Sequence, residues 1–416
     1  MILRLSAFLV LSCLTLVKSQ PAAQGGSSLS DLLSQAKGEK SILDQNIQDI
    51  FGQPPGTDSS TAAPAINNND GIPGTGSCTC VPYYLCNNGS INTNGEGIID
   101  IRINDGPCES YIEVCCNKDD QADQPITPTP PPTRESRVGC GYRNPDGVGF
   151  RITGDKENEA QFAEFPWMVA VLREETVEGN PAKLNVYQCG GALIHPQMVV
   201  TAAHCVSGKN KVLKIRAGEW DTQHTQELYP HQDREVQNVI VHPQYYAGAL
   251  YNDVAVLHLK EPFEIAENIA TICLPPQGTL LDEANCYATG WGKDVFGQKG
   301  KYQVILKKID LPIVPNNKCQ DQLRTTRLGK FFQLHQSFIC AGGVPGKDTC
   351  KGDGGSPLVC PVQGQTDRYF QMGIVAWGIG CGENNTPGVY VNLPKFRDWI
   401  DTQMRTYNLD TSYYQY

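Results

Sequence analysis

The sequence predicts an all-β protein preceded by a small module that disulfide bonds hold together. The C-terminal two-thirds contains many short apolar runs between Gly, Pro and Asn turns, as in a barrel or a sandwich of short strands. These runs are MVAVL at 168–172, MVVTA at 198–202, DVAVLHL at 253–259 and MGIVAW at 372–377. Six cysteines within residues 78–116 mark a unit too small to bury a core without cross-links.

Composition narrows the class of protein. Seventeen cysteines among 416 residues indicate an oxidising compartment. The net charge of −10 disfavours a nucleic-acid partner. Residues 20–136 hold 15 acidic and 5 basic side chains, so the acidic character lies in the N-terminal third. That third either attracts a basic partner or serves as a solvated acidic tail.

The first residues have the pattern of a secretory signal peptide, assigned to 1–19. Arg4 precedes an apolar run from Leu5 to Val17, and small and polar residues follow around Ser19. The run is too short to span a bilayer and no second one follows, so we expect a secreted protein without a membrane span. Cleavage there removes Cys13 and leaves an even number of cysteines.

Two low-complexity stretches flank the cysteine-rich module. Residues 20–77 are rich in Gly, Ser, Asn, Gln and Pro and read as flexible chain, with a weak helical pattern from Ser30 to Phe51. Residues 117–139 contain a Pro/Thr-rich linker that separates the module from the domain at 140–416. That domain ends in a helix, because four apolar residues recur there at helical spacing: Phe396, Trp399, Ile400 and Met404.

The module at 78–116 admits two readings. Disulfide bonds are favoured in a secreted chain, and spacing alone allows fifteen connectivities. Zinc is the competing reading, but a CxC and a CC pair lack the usual paired CxxC knuckles. The six residues are Cys78, Cys80, Cys86, Cys108, Cys115 and Cys116.

Three segments of the second domain carry chemistry. They contain His204 beside Cys205, Asp253 at the head of an apolar strand, and a Gly-rich loop over 352–357. Each alone has a structural explanation. Together, in this order, they resemble the chymotrypsin-like serine proteases, which implies a double β-barrel with a C-terminal helix. Further matches are Phe165-Pro166-Trp167, Cys189-Gly190-Gly191, Gly290-Trp291-Gly292, Val375-Ala376-Trp377-Gly378 and Pro387-Gly388-Val389-Tyr390.

The sequence departs from that family at the nucleophile. The family motif Gly-Asp-Ser-Gly-Gly-Pro reads Gly352-Asp353-Gly354-Gly355-Ser356-Pro357 here. Acyl transfer needs a hydroxyl that His204 can deprotonate, and Gly354 has no side chain. We therefore predict a degenerate triad of His204, Asp253 and Gly354 and no enzymatic activity. The alternative is hydrolysis through Ser356, two residues downstream.

The resemblance implies two further sites around the loop. Asp348, with Gly378 and Gly388 as small wall residues, matches the pocket that binds Arg or Lys in trypsin-like members; it is either a binding slot or a vestige. Arg151 lies where family zymogens are cut, with Asp353 as the partner of the new amine. However, Asp155 replaces the usual Gly after that bond. Other basic candidates for a regulatory cut are Arg102, Arg134 and Arg137, with Arg102 ranked first.

The cysteine-rich module, linker and protease-like domain together resemble clip-domain serine protease homologues of arthropods. The resemblance implies pairs in the clip module of Cys78–Cys115, Cys80–Cys108 and Cys86–Cys116. In the protease-like domain it implies Cys140–Cys273, Cys189–Cys205, Cys286–Cys360, Cys319–Cys340 and Cys350–Cys381. All sixteen remaining cysteines are then used.

The same resemblance implies a function. Such homologues are non-catalytic cofactors of prophenoloxidase activation in melanisation, an innate immune response in haemolymph, and proteolytic cleavage regulates them. The implied partners are prophenoloxidase or phenoloxidase, an activating clip-domain protease, and further copies of the chain after cleavage. The alternatives are an active trypsin-like protease with an unusual nucleophile and a microbe-binding adhesion protein.

Three surface features complete the predictions. An acidic loop resembles the calcium loop of the family, because hard oxygen ligands suit extracellular Ca²⁺; its candidate ligands are Glu219, Asp221, Glu227 and Asp233. Asn88 and Asn384 begin glycosylation sequons. A Lys-rich stretch, Lys293 to Lys308, reads as a solvated loop or as a contact for the acidic segment of another copy.

Overall fold

The computed structural model describes most of the protease-like domain and part of the cysteine-rich module. The described residues are 78–82, 85–86, 113–122, 139–149, 158–176, 183–208, 212–222, 227–280, 284–293, 302–349, 352–365, 367–380 and 382–416. The chain divides into two units, Met1–Gln45 and Asn46–Tyr416, and every described residue lies in the second.

Most strands form two closed antiparallel barrels of six strands each. The first barrel contains β3 (Met168–Thr176), β4 (Lys183–His195), β5 (Met198–Thr201), β6 (Leu213–Ala217), β7 (Gln232–Val241) and β8 (Ala255–Leu259), in the order β3-β4-β5-β8-β7-β6. The second contains β9 (Asn285–Gly290), β10 (Lys307–Val314), β11 (Phe338–Gly342), β12 (Pro357–Pro361), β13 (Tyr369–Trp377) and β14 (Pro387–Asn392), in the order β10-β11-β14-β13-β12-β9. The predicted chymotrypsin-like double barrel is confirmed.

The short strands close into barrels because their apolar side chains need an interior. Leu193 and Leu257 are fully buried in the first barrel, and Leu358 and Tyr390 are fully buried in the second. Leu257 lies in one of the predicted strand runs, and the other three lie on further strands of the same barrels.

In the part of the chain that the structure describes, helices are few, as expected. The helices described are Ala203–Val206, Asn316–Arg324 and Arg397–Thr406, with short 3₁₀ turns at Lys118–Asp120, Leu393–Phe396 and Thr411–Tyr414. The C-terminal helix buries Ile400 and Met404, the face that the sequence predicted. Among the described residues, no helix has the length and apolar character needed to cross a membrane.

The cysteine-rich module contains a two-stranded antiparallel sheet, β1 (Cys78–Pro82) paired with β2 (Glu113–Asn117). Cys80 lies opposite Cys115, and Cys116 lies opposite Thr79. Cys86 and Cys116 are joined by a disulfide bond, and Cys80 and Cys115 are each disulfide-bonded as well. Disulfide bonds, and not zinc ligation, therefore hold these cysteines.

Four more disulfide bonds join described residues of the protease-like domain. They are Cys140–Cys273, Cys189–Cys205, Cys286–Cys360 and Cys319–Cys340. All four are pairs that the family resemblance implies. Cys350 and Cys381 lie outside the described residues, as do the side chains of Cys78 and Cys108. Such bonds persist in oxidising compartments, which agrees with secretion.

The segment after the linker, residues 139–149, is anchored to the barrels by more than its disulfide bond. Nε of Arg143 donates to Oε1 of Glu164 at 2.8 Å, and Nζ of Lys308 donates to Oε2 of the same carboxylate at 2.8 Å. The guanidinium also lies 4.3 Å from the centroid of the Tyr287 ring. Glu164 is fully buried, and Arg143 and Lys308 compensate its negative charge inside the domain.

Candidate functional site

His204 and Asp253 form an oriented pair between β5 and β8. His204 lies in the short helix that follows β5, and Asp253 lies two residues before the start of β8. Nδ1 of His204 lies 2.6 Å from Oδ2 of Asp253, and the backbone N–H of His204 donates to Oδ1 at 2.7 Å. Asp253 is fully buried, whereas the imidazole is 28% exposed. The pair is arranged as a protease needs it, with the second ring nitrogen, Nε2, available.

Gly354 occupies the position that faces this nitrogen. A Cβ built at ideal geometry on Gly354 lies 2.8 Å from Nε2 of His204 and 3.7 Å from Sγ of Cys189. Real Cβ contacts are longer than 2.8 Å, so a side chain here requires the ring to move by a few tenths of an ångström. The imidazole therefore partly occupies the space that a nucleophile needs.

Ser356 does not supply the missing hydroxyl. Its side chain is fully buried and turned towards Gly190, where an added Cβ lies 2.0 Å from Oγ of Ser356. A Cβ added to Gly290 lies 3.3 Å from the same oxygen. Ser356 thus packs between two glycines, away from the position that faces His204.

The Gly-rich loop holds its shape through close backbone packing. Gly355 has φ +80°, and a Cβ there lies 2.4 Å from Oγ1 of Thr201 and 2.5 Å from the carbonyl oxygen of Gly190. Only glycine fits such a position. The hydroxyl of Tyr187 donates to the carbonyl oxygen of Gly352 at 3.0 Å. The sequence reading missed Tyr187, although strand alternation places it on the face of β4 that carries Cys189.

Asp353 is enclosed by the Gly-Trp-Gly segment. The N–H of Gly292 donates to its carboxylate at 2.9 Å, and a Cβ on Gly290 or Gly292 falls within 2.5 Å of that carboxylate. The two glycines therefore make room for Asp353. The candidate cleavage sites Arg102, Arg134, Arg137 and Arg151 lie outside the described residues.

Asp348 is held by two backbone N–H groups. Its carboxylate accepts hydrogen bonds from the N–H groups of Thr349 at 2.9 Å and Gly382 at 3.3 Å. Burial raises the pKa of Asp348 to about 7, although these two N–H groups act in the opposite direction. A Cβ on Gly388 lies 2.9 Å from Oδ1 of Asp348, and one on Gly378 has no neighbour closer than 3.8 Å. Asp348 thus lies directly against Gly388, one of the two predicted wall residues.

The acidic loop brings three of its four predicted ligands close to one another. The carboxylate of Glu227 accepts the N–H of Asp221 at 2.8 Å and that of Trp220 at 3.2 Å, while Trp220 also donates to Glu219 at 3.1 Å. Arg216 donates to both oxygen atoms of Asp233, at 2.8 and 3.2 Å, and the same guanidinium donates to Glu219 at 3.1 Å.

The charges of this loop are incompletely compensated. Burial raises the pKa of Glu219 to about 7, against the effect of Arg216. Burial and then the neighbouring Glu219 raise the pKa of Glu227 well above its usual value, and its Oε2 is buried without a hydrogen-bond partner. Hard oxygen donors of this kind are the ligands that Ca²⁺ prefers. However, the carboxylates of Glu219, Asp221 and Glu227 do not converge within 4.8 Å of one another, so a shared ion requires them to move closer together.

The sulfur atoms of Cys189 and Cys205, which lie near His204, are not metal ligands. His204, Cys189 and Cys205 form the one group of three potential ligands that converge within the described ranges. Cys189 and Cys205 are bonded to each other, so neither is a free thiolate.

Three of the five lysines in the Lys-rich stretch are not solvated as the sequence indicated, while Lys299 and Lys301 lie outside the described residues. Lys293 is buried, Lys307 pairs with Glu159 at 3.1 Å, and Lys308 pairs with Glu164. These three cations are committed within the domain. The sequon residue Asn384 is exposed in a turn, whereas Asn88 lies outside the described residues.

Comparison with known proteins identifies both parts of the chain. A family model described as Trypsin matches residues 154–400, and one described as Serine protease Clip domain PPAF-2 matches residues 67–117. The chain is 56% identical to phenoloxidase-activating factor 2 of Galleria mellonella over 298 residues, covering 71% of this chain and 98% of that protein.

Other relatives have names that denote inactivity. The chain is 38% identical to inactive CLIP domain-containing serine protease A8 of Anopheles gambiae, over 81% of this chain and 92% of that protein. It is 37% identical to the A28 protein of the same species, over 80% and 90% respectively. With the fold, the clip match and these relatives together, the chain belongs to the trypsin family and is a clip-domain serine protease homologue.

Proposed function

We propose that this chain is a secreted, non-catalytic cofactor of phenoloxidase activation, the step that leads to melanisation. One observation supports the non-catalytic part above all: the position that faces Nε2 of His204 carries glycine. A relative that is 56% identical is a phenoloxidase-activating factor, which supports the pathway. The proposed action is therefore binding, with prophenoloxidase or phenoloxidase as partner.

Reconstitution tests this function. Purified chain is added to prophenoloxidase and an activating clip-domain protease, and the rate of diphenol oxidation is followed. We expect a higher rate than without the chain, while a fluorogenic Arg substrate and a covalent serine-directed probe both stay negative with the chain alone. An unchanged oxidation rate rejects the cofactor role, and turnover of the Arg substrate supports an active protease instead.

We further propose that proteolysis in the N-terminal region controls this activity and leads to assembly of several copies. The disulfide bond Cys86–Cys116 spans Arg102, which supports retention of the upstream segment after a cut there. Limited proteolysis by a trypsin-like protease, N-terminal sequencing and a sizing column test this proposal. A cut at Arg102 with a larger particle agrees with it, and a product that begins at Ile152 with no change in size contradicts it.

We also propose that the acidic loop binds Ca²⁺ through Glu219, Asp221 and Glu227. The support is the buried, unpartnered Oε2 of Glu227 beside a second buried carboxyl group. A bound Ca²⁺ supplies positive charge that stabilises the loop. Arg216 binds both Glu219 and Asp233, and Asp233 is left out of this ligand set because the guanidinium occupies both of its oxygen atoms.

A further inference from the structure

The disulfide bond Cys189–Cys205 lies against the ring of His204. Sγ of Cys205 is 3.6 Å from Nε2 of His204, and a ring nitrogen and both sulfur atoms come within 4.8 Å of one another. The bond joins β4 to the short helix Ala203–Val206, which carries His204. A disulfide bond and an imidazole that the fold orients are therefore neighbours in the candidate site.

This bond differs from the other described disulfide bonds in its exposure. Five bonds have both cysteines described, and in four of them both cysteines are fully buried. Cys189 keeps 6% and Cys205 2% of its surface accessible, and the side chain of His204 beside them is 28% exposed. Among these five bonds, Cys189–Cys205 is thus the one that solvent reaches.

The absence of a side chain at Gly354 uncovers one of the two sulfur atoms. A Cβ at this position lies 3.7 Å from Sγ of Cys189, in ordinary van der Waals contact, and 2.8 Å from Nε2 of His204. Any other residue would cover this side of the sulfur atom. Glycine instead leaves it open, next to the ring nitrogen.

Asp253 prepares the ring of His204 to accept a proton. Oδ2 of Asp253 lies 2.6 Å from Nδ1 of His204, so the pairing assigns the proton to Nδ1 and leaves Nε2 as the acceptor. Asp253 is fully buried, and a buried carboxylate stabilises the imidazolium that forms when Nε2 takes up a proton. An imidazolium in turn stabilises a neighbouring thiolate. The ring is therefore equipped both to activate a thiol and to stabilise the sulfur that leaves.

We propose that Cys189–Cys205 is a thiol–disulfide exchange site for small thiols, with His204 as the base. Nε2 of His204 takes the proton of the incoming thiol, and the resulting thiolate attacks Sγ of Cys189 to form a mixed disulfide. The bond between the two protein sulfur atoms breaks, and its electron pair leaves with Sγ of Cys205 as a thiolate beside the imidazolium. A second thiol molecule then releases Cys189. Two small thiols are oxidised to one disulfide, and the protein bond gains two electrons.

The exchange alters the candidate site itself. The bond ties the helix Ala203–Val206 to β4 across a sequence separation of 16, so its opening removes a covalent constraint on the position of His204. Small thiols are thereby given a way to change the surface around His204. This chemistry needs no partner protein and is separate from phenoloxidase activation.

An exchange experiment on the full chain tests the site, with glutathione as the small thiol at neutral pH. Samples are quenched with N-ethylmaleimide at intervals, and the alkylated cysteines are identified by peptide mass spectrometry. We expect Cys189 and Cys205 to be alkylated at least about tenfold faster than Cys286 and Cys360, whose bond is fully buried.

Two variants test the assigned roles. His204→Gln removes the base, and Gly354→Ala covers the sulfur atom of Cys189 with a methyl group, so each should slow the reaction at this bond about tenfold or more. The matched control is His242→Gln, which replaces a half-buried imidazole just after β7 and should react as the wild type does. Cys115, disulfide-bonded and exposed in the small module, is an internal reference whose reaction should respond to neither variant.

Three outcomes would overturn the proposal. The first is a reaction at Cys189–Cys205 no faster than at Cys286–Cys360. The second is an equal or faster reaction in His204→Gln with the melting temperature preserved, since the ring then does not activate the bond. If His204→Gln is unstable, Gly354→Ala decides, and wild-type reactivity in that variant is the third. Because phenoloxidase is absent from the assay, failure of the exchange site and failure of the proposed function remain distinguishable.

Discussion

The side-chain position of Gly354 faces Nε2 of His204 so closely that a Cβ there lies 2.8 Å from the ring nitrogen. Gly354→Ser therefore restores a hydroxyl beside an oriented base but also displaces the ring. We expect hydrolysis of a fluorogenic Arg substrate to rise at least about 100-fold over the wild-type background, far less than the roughly 10⁶-fold effect of a complete triad. The assay is run before and after limited proteolysis, with Gly354→Ala and the double variant Gly354→Ser/His204→Ala as controls. Equal activity in the double variant rules out the assigned base.

Ser356→Ala distinguishes the scaffold from a protease with a displaced nucleophile. Ser356 is buried against Gly190 and turned away from the base. We expect the variant to leave both the background rate on the Arg substrate and the labelling by a serine-directed probe unchanged. If the background hydrolysis of the Arg substrate disappears in Ser356→Ala alone while the melting temperature is preserved, Ser356 is a nucleophile.

The Asp348 pocket gives a pH-dependent prediction. The pKa of the Asp348 carboxyl group in the folded protein, about 7, lies above the ordinary value of 3.8, so folding favours the protonated form. The contribution of Asp348 to stability is therefore fully present below about pH 4 and is lost as pH rises through 7. An amidinium ligand needs the ionised form, so p-aminobenzamidine is expected to bind roughly tenfold or more tightly at about pH 8 than at about pH 5.5.

Fluorescence titration of p-aminobenzamidine measures this difference, and Asp348→Asn is the control. The variant keeps the shape of the pocket but loses the charge, so binding should be weak at every pH. Wild-type binding that is equally tight at both pH values contradicts the raised pKa. Absence of binding at both values shows that the pocket is closed and is a vestige.

Glu227→Gln tests the calcium proposal. The change keeps hydrogen-bond acceptance through one oxygen but removes a charge from a buried carboxyl group whose Oε2 has no partner. We expect millimolar Ca²⁺ to raise the melting temperature of the wild type by several degrees and a chelator to reverse it, since a ligand that binds only the folded state at about 100 times its Kd adds about 2.7 kcal/mol. The variant should show little response, and Asp233→Asn, outside the proposed ligand set, should still respond. Equal responses in wild type and Glu227→Gln reject the site.

The Arg143–Glu164 pair should be important for stability. Glu164→Gln leaves Arg143 and Lys308 without their shared carboxylate inside the domain. Removing one member of a buried ion pair destabilises by about 3–5 kcal/mol. The matched control is Glu175→Gln, because Glu175 pairs with Arg173 at the surface, where such pairs contribute about 0–1 kcal/mol. Similar urea midpoints for the two variants contradict the assigned role of Glu164.

Much of the fold and of the candidate site was predictable because the informative residues are near one another in sequence. His204 follows an apolar strand, Asp253 heads one, and Gly354 lies in a Gly-rich loop, so local motifs revealed all three. The C-terminal helix was predicted because Ile400 and Met404 lie one turn apart, and both are buried.

Interactions between residues that are far apart in the chain could not be predicted from local sequence motifs. Glu164 contacts Arg143 and Lys308 across 21 and 144 positions, and no periodic pattern links them. For the same reason the ion pairs of Lys307 and Lys308 were not anticipated, since their acidic partners come from another part of the chain. The contact between Arg216 and Asp233 was also hidden, because it depends on strand register: β6 and β7 pair these two residues.

Closure of both barrels restricts how this protein associates with others. Each sheet closes into its own ring of six strands, so neither barrel has a free edge strand to which a partner could add another. In the ranges that the structure describes, the pair β1–β2 is the one open sheet. We therefore expect the large domain to recognise partners through side chains and loops. Addition of a partner's β-strand is expected at the open sheet of the small N-terminal module.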